Sequence, residues 1–291
     1  MLRTFLIQDW KESFSSINQE KALYSLENGQ ILYFPQLTFP LSNDETCFLS
    51  EDYADPKSKN ISFHPLQDKL WGVQRLSDKQ HIQLRMMLER FYHHAYELIK
   101  NLLPHYVPHL ITARTSFRPI EVSHRKTSYR KDDKRLHIDA FPSAPNQGKR
   151  ILRVFCNINP HGEDRIWRIG EPFDQVTKRF LHRMKKPLLG KAALLRLLKI
   201  TKSYRSLYDH YMLCIHNAMK ADEAYQKEVS QHEIRFPSGS TWIVQTDHVS
   251  HAAMQGRHVL EQTFYLPTHA MQNEALSPLH ILQQSLGQKL I

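Results

Sequence analysis

The chain has 291 residues, 41% hydrophobic and 10% aromatic, which is enough apolar material for a folded core and excludes a disordered polymer. Its net charge of +10 and isoelectric point of 9.4 point to an anionic partner: nucleic acid, an acidic membrane surface or a phosphorylated substrate. Three cysteines, Cys47, Cys156 and Cys214, are widely spaced and form no CxxC pair, which excludes a disulfide scaffold and a zinc ribbon and fits a reducing compartment.

The first ten residues, MLRTFLIQDW, lack the apolar core of a signal peptide, and no run approaches the ~18 apolar residues of a spanning helix. A cytoplasmic protein, or one bound peripherally to the inner face of a membrane, is expected. Residues 30–35 (QILYFP) predict a short strand that ends at proline, and residues 51–60 a polar loop. Ser77 is positioned to cap a helix over 77–103, with apolar residues at helical spacing from Leu84 to Ile99 and Pro104 as the stop. His93 and His94 are adjacent on it and do not share a face, so they are expected to be structural or surface residues.

From Ile111 the texture changes to strands: 112–118, 136–141, 150–160 and 165–170. The short turn-rich link between the second and third predicts antiparallel neighbours. A basic amphipathic helix over 180–198 and a second helical pattern over 204–229 interrupt, and strands return at 233–236, 241–246 and 259–266. Strands that resume after a helical insertion predict an α+β, mainly β chain with a double-stranded β-helix (jelly-roll or cupin-like) core. The expected organisation is a single domain: support at 1–110, first core strands at 111–171, insertion at 172–232, closing strands at 233–267 and a tail at 268–291.

Within the second of those strands, His137-Ile138-Asp139 places an imidazole and a carboxylate two residues apart, hence on one face of an extended chain. A third ligand would complete the facial 2-His-1-carboxylate set that holds non-haem Fe(II) and leaves positions open for oxygen and a co-substrate. Two late histidines qualify, His248 and His251; the His251-Ala252-Ala253 run favours His251.

His137-Ile138-Asp139-Ala140-Phe141-Pro142-Ser143, the run 150–160 (RILRVFCNINP), 167–173 (WRIGEPF), 208–213 (YDHYML) and His251-Ala252-Ala253 with 260–264 (LEQTF) together resemble the 3-deoxy-D-manno-oct-2-ulosonic acid (Kdo) hydroxylases, from about Gln30 to Pro267. The resemblance implies a double-stranded β-helix that uses Fe(II), 2-oxoglutarate and O₂ to hydroxylate C3 of a Kdo sugar on Kdo-lipid A, giving a Ko sugar in the lipopolysaccharide inner core of Gram-negative bacteria. Iron would be held by His137, Asp139 and His251, with His248 as the alternative third ligand.

The far carboxylate of 2-oxoglutarate normally requires a cation or polar clamp. Arg153 is the first candidate; Asn157 shares its parity, Arg257 follows closely after His251, and Gln262 lies on the last strand. For the anionic substrate, Arg118, Arg130 and Arg168 are candidate contacts, within a basic rim that also includes Arg114, Arg125, Lys126, Lys131, Lys134 and Arg135. The basic segment 180–202 is suited to lie on an anionic leaflet. Three rivals stand beside this reading. An Fe(II)/2-oxoglutarate oxygenase acting on another anionic substrate, such as a demethylase-type enzyme on nucleic acid or an oxygenase on another glycolipid, would share the iron triad and is the nearest enzymatic one. A nucleic-acid-binding protein is favoured by charge but lacks a localising motif such as a zinc finger or RNP strand, so nucleic acid is not the expected partner. A metal-free cupin-like sugar-binding module is the non-enzymatic one.

Overall fold

A computed structural model of the chain describes residues 1–121 and 128–291. Its strands are β1 (Leu2–Thr4), β2 (Ile31–Phe34), β3 (Ile61–His64), β4 (Lys69–Trp71), β5 (Ile111–Arg118), β6 (Arg150–Asn157), β7 (Arg165–Pro172), β8 (His232–Phe236), β9 (Thr241–Gln245), β10 (Val249–Gln255) and β11 (Val259–Leu266). The helices are α1 (Ser16–Glu27), α2 (Asp78–Leu102), α3 (Phe173–Phe180), α4 (Lys191–Leu197), α5 (Leu207–Ala221), α6 (Glu223–Glu228) and α7 (Pro278–Leu286). An eight-stranded sheet runs β1-β2-β9-β6-β11-β5-β3-β4, and a three-stranded sheet runs β10-β7-β8. This is the jelly-roll core expected from strands resuming after a helical insertion.

Alternation along the strands assigns every residue to a side. On β6, Leu152, Val154 and Cys156 pack with Leu260 and Phe264 of β11 against Leu84, Leu88 and Phe91 of α2. Arg153 and Phe155 therefore face the other way, into the space between the sheets. Helix α2 begins as its sequence suggests: the Ser77 hydroxyl accepts from the Gln80 amide, and the Gln80 side chain accepts from the Ser77 amide, a capping box. His93 is exposed and His94 Nδ1 is hydrogen-bonded to the Arg90 carbonyl, so neither approaches the space between the sheets. On the outer side of the small sheet, Leu136, Ile138 and Ala252 pack against α3, α5 and α7 through Phe173, Tyr208, Ile215 and Leu282.

Three sequence expectations are corrected. Residues 136–141 do not form a regular strand; a single antiparallel bridge joins His137 to His251. On its other side the segment is held by a side chain, because the Gln226 carboxamide accepts from the Leu136 amide (2.8 Å) and donates to the Leu136 carbonyl (3.0 Å). The segment consequently extends the small sheet beside β10, while β6 pairs with β9 and β11, so 136–141 and 150–160 are not the antiparallel neighbours their short link suggested. The amphipathic stretch 180–198 is not one helix: a 3₁₀ turn over Leu181–Arg183 leads into an irregular link containing Pro187 and a positive-φ Gly190, and α4 follows. Proline removes a helix donor and glycine at φ 77° leaves the helical region, which overrides the leucine and lysine periodicity.

Candidate iron and co-substrate site

With Leu136, Ile138 and Ala252 anchored outside, their neighbours His137, Asp139 and His251 must face inward. One ligand atom from each lies within 4.8 Å of the others, and this is the single such group of three among the described residues. Two strand-like hydrogen bonds fix the pairing: the His137 amide donates to the His251 carbonyl (3.0 Å), and the His251 amide donates to the His137 carbonyl (2.8 Å). The Asp139 amide donates to the Thr246 carbonyl (2.8 Å).

The ring geometry tests whether this set suits a metal. His137 Nδ1 lies 2.8 Å from the Arg135 carbonyl, and His251 Nδ1 lies 2.8 Å from the Val249 carbonyl. A carbonyl only accepts, so each Nδ1 carries the proton and each Nε2 keeps its lone pair, the form in which imidazole binds a metal. His137 Nε2 stands 3.8 Å from Asp139 Oδ1. Trp167 stacks on the His251 ring (5.0 Å between centroids, 21° between planes), and His216 of α5 meets the His137 ring edge-on (5.4 Å, 86°). Two fixed neutral imidazoles and a carboxylate fit a divalent iron with one open side.

Electrostatics agree. Burial, then the neighbouring histidine and Lys220, push the His137 ring well below its ordinary range, so it stays neutral; burial likewise lowers His251. Burial alone would raise the Asp139 carboxyl, but the Arg153 guanidinium outweighs it and holds the group ionised. Arg153 contacts Asp139 (3.1 Å) and Glu261 (3.1 Å); Arg118 bonds Glu261 (3.0 Å) and approaches Asp133 (3.8 Å); Lys59 pairs with Asp133 (2.6 Å). These pairs line a cavity of about 700 Å³ whose inner wall also carries Arg165 and Trp167 of β7.

The remaining sequence candidates are placed as follows. His251 joins the set, whereas His248 is partly buried beside Gly29 and Phe173, away from the cavity. Arg153 and Arg118 line the cavity. Gln262 shares the parity of Leu260 and Phe264, faces α2, and accepts from the Thr115 hydroxyl, so it does not reach the site. Asn157 is spent on backbone, donating to the Glu163 and Phe236 carbonyls and accepting from the Asn159 amide. Arg257 sits at the β10–β11 turn, 3.5 Å from Glu163 and outside the cavity. Arg168 lies on the exposed face of β7, opposite Arg165 and Trp167, and Arg130 is exposed over the Tyr129 ring; neither lines the cavity. Arg125 and Lys126 lie outside the described residues.

Sequence reasoning passed over Lys59, Arg165, Trp167 and His216. Arg165 and Trp167 carried a usable signal, two-residue spacing on a strand that precedes the insertion. Arg165 donates to the Gly256 carbonyl (2.7 Å), in a turn whose φ of 107° suits glycine and where a Cβ would stand 2.8 Å from the Asp164 carbonyl. His216 had no such signal, because nothing in the sequence ties its helix to His137.

A jelly roll whose inner face brings together two neutral histidines and one carboxylate, beside guanidinium groups, defines a non-haem Fe(II), 2-oxoglutarate-dependent oxygenase. Within that class, the family model for 3-deoxy-D-manno-oct-2-ulosonic acid (Kdo) hydroxylase matches residues 9–289, and the chain belongs to this family. Similar solved structures include the apo form of the Kdo hydroxylase KdoO, described as a non-heme Fe(II) alphaketoglutarate dependent dioxygenase, at 46% identity and TM-score 0.97 over 100% of this chain and 97% of that one. KdoO in complex with alphaketoglutarate and Fe(III) matches with the same identity, coverage and score. The search of curated proteins returns no match.

Proposed function

We propose that this chain hydroxylates C3 of a Kdo sugar on Kdo-lipid A, in a reaction dependent on Fe(II), 2-oxoglutarate and O₂, giving a Ko sugar in the lipopolysaccharide inner core. The observation that carries the reading is the convergence of His137, Asp139 and His251 on one wall of a cation-lined cavity large enough for a sugar. His137, Asp139 and His251 would hold the iron, which supplies the oxidising power that no side chain possesses. The protein's part is positional. The carbonyls of Arg135 and Val249 hold the two rings, Trp167 packs one of them in place, and Arg153 keeps Asp139 ionised. Arg153 and Arg165 present guanidinium groups on the inner wall for the carboxylates of 2-oxoglutarate, a planar fork-to-fork match that an ammonium lacks. Succinate release that depends on Fe(II) and Kdo-lipid A, and is lost in His137→Ala, is the expected result; equal release by both proteins would refute the assignment.

The same reading includes peripheral contact with the anionic inner-membrane surface, where such a glycolipid would be met on the cytoplasmic face. Among the described residues no helix is long and apolar enough to cross a membrane. In the broken segment before and within α4, Leu188, Leu189, Leu194 and Leu197 are exposed and interleaved with Lys185, Lys186 and Lys191. Exposed apolar groups among basic ones suit an acidic bilayer surface, each cation adding about 1 kcal/mol near it. Replacing Leu188 and Leu189 by Asp is expected to abolish co-sedimentation with phosphatidylglycerol vesicles and leave hydroxylation of detergent-dispersed substrate intact. Unchanged sedimentation would remove this segment from the account.

A further inference from the structure

The cavity described above has two electrostatic zones, and only the inner one is neutralised. Around the iron ligands, Lys59, Arg118 and Arg153 are interleaved with Asp133, Asp139 and Glu261 in direct ion pairs. Further along β5, on the same face as Arg118 and Ser116, Arg114 also lines the cavity, but among the described residues it makes no ion pair. Its guanidinium lies instead over the Trp71 ring, 4.8 Å from the centroid, which fixes its position without neutralising it. Arg114 precedes Arg118 by four positions of strand, about 13 Å at the usual rise, so the unpaired cation stands well apart from the paired ones, with room for a sugar between them.

Two more groups meet it there. His64 follows Ser62 on the cavity face of β3, which is hydrogen-bonded to β5, and its Nδ1 is buried with no hydrogen-bond partner. Lys202 arrives from the other wall, where its amide donates to the Ser143 carbonyl (2.9 Å) and its carbonyl accepts from Arg196 (2.6 Å), so its backbone is pinned while its ammonium remains at the rim. Lys202 likewise makes no ion pair among the described residues, and the charges nearest these groups are one another: burial and then Arg114 lower both His64 and Lys202. Two cations without an acid partner, Arg114 and Lys202, and an imidazole whose buried Nδ1 lacks a hydrogen-bond partner come together here from three separate segments; the two cations repel one another, a cost that a bound anion removes.

We infer that His64, Arg114 and Lys202 form an outer oxyanion subsite at the cavity mouth, which holds an anionic group of the glycolipid while the reacting sugar lies between it and the iron ligands. This rests on the proposed glycolipid reading. It makes these three residues binding and positioning groups that do not touch the reacting carbon. The ligand chemistry is a carboxylate or a phosphate oxyanion, either of which the substrate could present: a carboxylate from a Kdo sugar, a phosphate from lipid A.

The test compares wild type with Arg114→Gln, Lys202→Gln and the double variant, using Kdo-lipid A and measuring kcat, KM and 2-oxoglutarate affinity. The double variant is expected to raise KM for the glycolipid about tenfold or more, with kcat and 2-oxoglutarate binding unchanged and with the ionic-strength dependence of KM reduced. His64→Gln, which keeps a donor, is expected to raise KM less. On a dephosphorylated substrate the penalty vanishes if phosphate is the ligand, and on a carboxyl-methylated sugar it vanishes if carboxylate is. A penalty that persists on both, an unchanged KM on the native substrate, or a parallel loss of 2-oxoglutarate affinity overturns the subsite while leaving the hydroxylase reading intact. Wild-type protein that does not turn over Kdo-lipid A overturns the reading and the subsite with it.

Discussion

Two histidines only three positions apart have opposite fates. His251 sits on β10 with its Nδ1 tied to a backbone carbonyl and its Nε2 toward His137 and Asp139, while His248 is packed beside Gly29 and Phe173. His251→Ala is therefore expected to abolish stoichiometric Fe(II) binding and reduce turnover by at least about 100-fold, whereas His248→Ala keeps one Fe(II) per chain and loses thermal stability instead. Iron titration of the two variants decides it; a His248 variant that binds no iron while remaining folded would reverse the assignment. What the sequence made legible at this scale was the spacing. His137 and Asp139 share a face because extended chains alternate, and Arg153 could be placed by the same parity. Gln262 was misplaced because parity says only that a residue is on one face or the other; Leu260 and Phe264 against α2 reveal which. Arg257 and Asn157 were misread for a different reason: turn and strand-end polar groups are commonly consumed by local backbone, which a one-dimensional reading does not display.

At the scale of elements, the iron-ligand segment depends on a side chain from the insertion. Gln226 serves both the amide and the carbonyl of Leu136, substituting for a strand that is not there. Removing it in Gln226→Ala leaves two backbone groups without their partner, at a cost of about 1–3 kcal/mol. It also loosens the residue before His137. The expected outcome is a lower urea midpoint together with Fe(II) affinity weaker by about tenfold, the scale typical of groups that orient metal ligands. A stability loss without any change in iron affinity would show that the insertion merely covers the sheet. The succession of strands, helical insertion and returning strands was readable from the sequence because helical patterning separated two groups of strands, whereas their pairing was not. The break at Pro187 and Gly190 was not credited there, since leucine and lysine periodicity looked helical across it, and so a compact helix was expected where exposed leucines lie.

For the molecule as a whole, several histidines are buried in the neutral form. Burial lowers His248 from 6.5 to about 3, and burial followed by Arg257 lowers His258 to about 4. Below 6.5 the unfolded chain takes up protons that the folded chain refuses, so the contribution of these histidines to stability is constant above that value and is lost as the pH falls toward 4. The urea midpoint is expected to decline between pH 6.5 and 4.5, and His248→Gln to flatten part of the decline; a midpoint independent of pH over that interval would contradict the buried-neutral assignment.

Whether this cavity oxidises a Kdo sugar is the central question. The most direct measurement incubates the purified protein with Fe(II), 2-oxoglutarate, Kdo-lipid A and isotopically labelled O₂, then weighs the glycolipid by mass spectrometry and counts succinate. One labelled oxygen atom on the Kdo portion is expected for each succinate formed, and neither product from His137→Ala. Unmodified glycolipid from a folded protein that binds Fe(II) and 2-oxoglutarate would contradict the proposed hydroxylation.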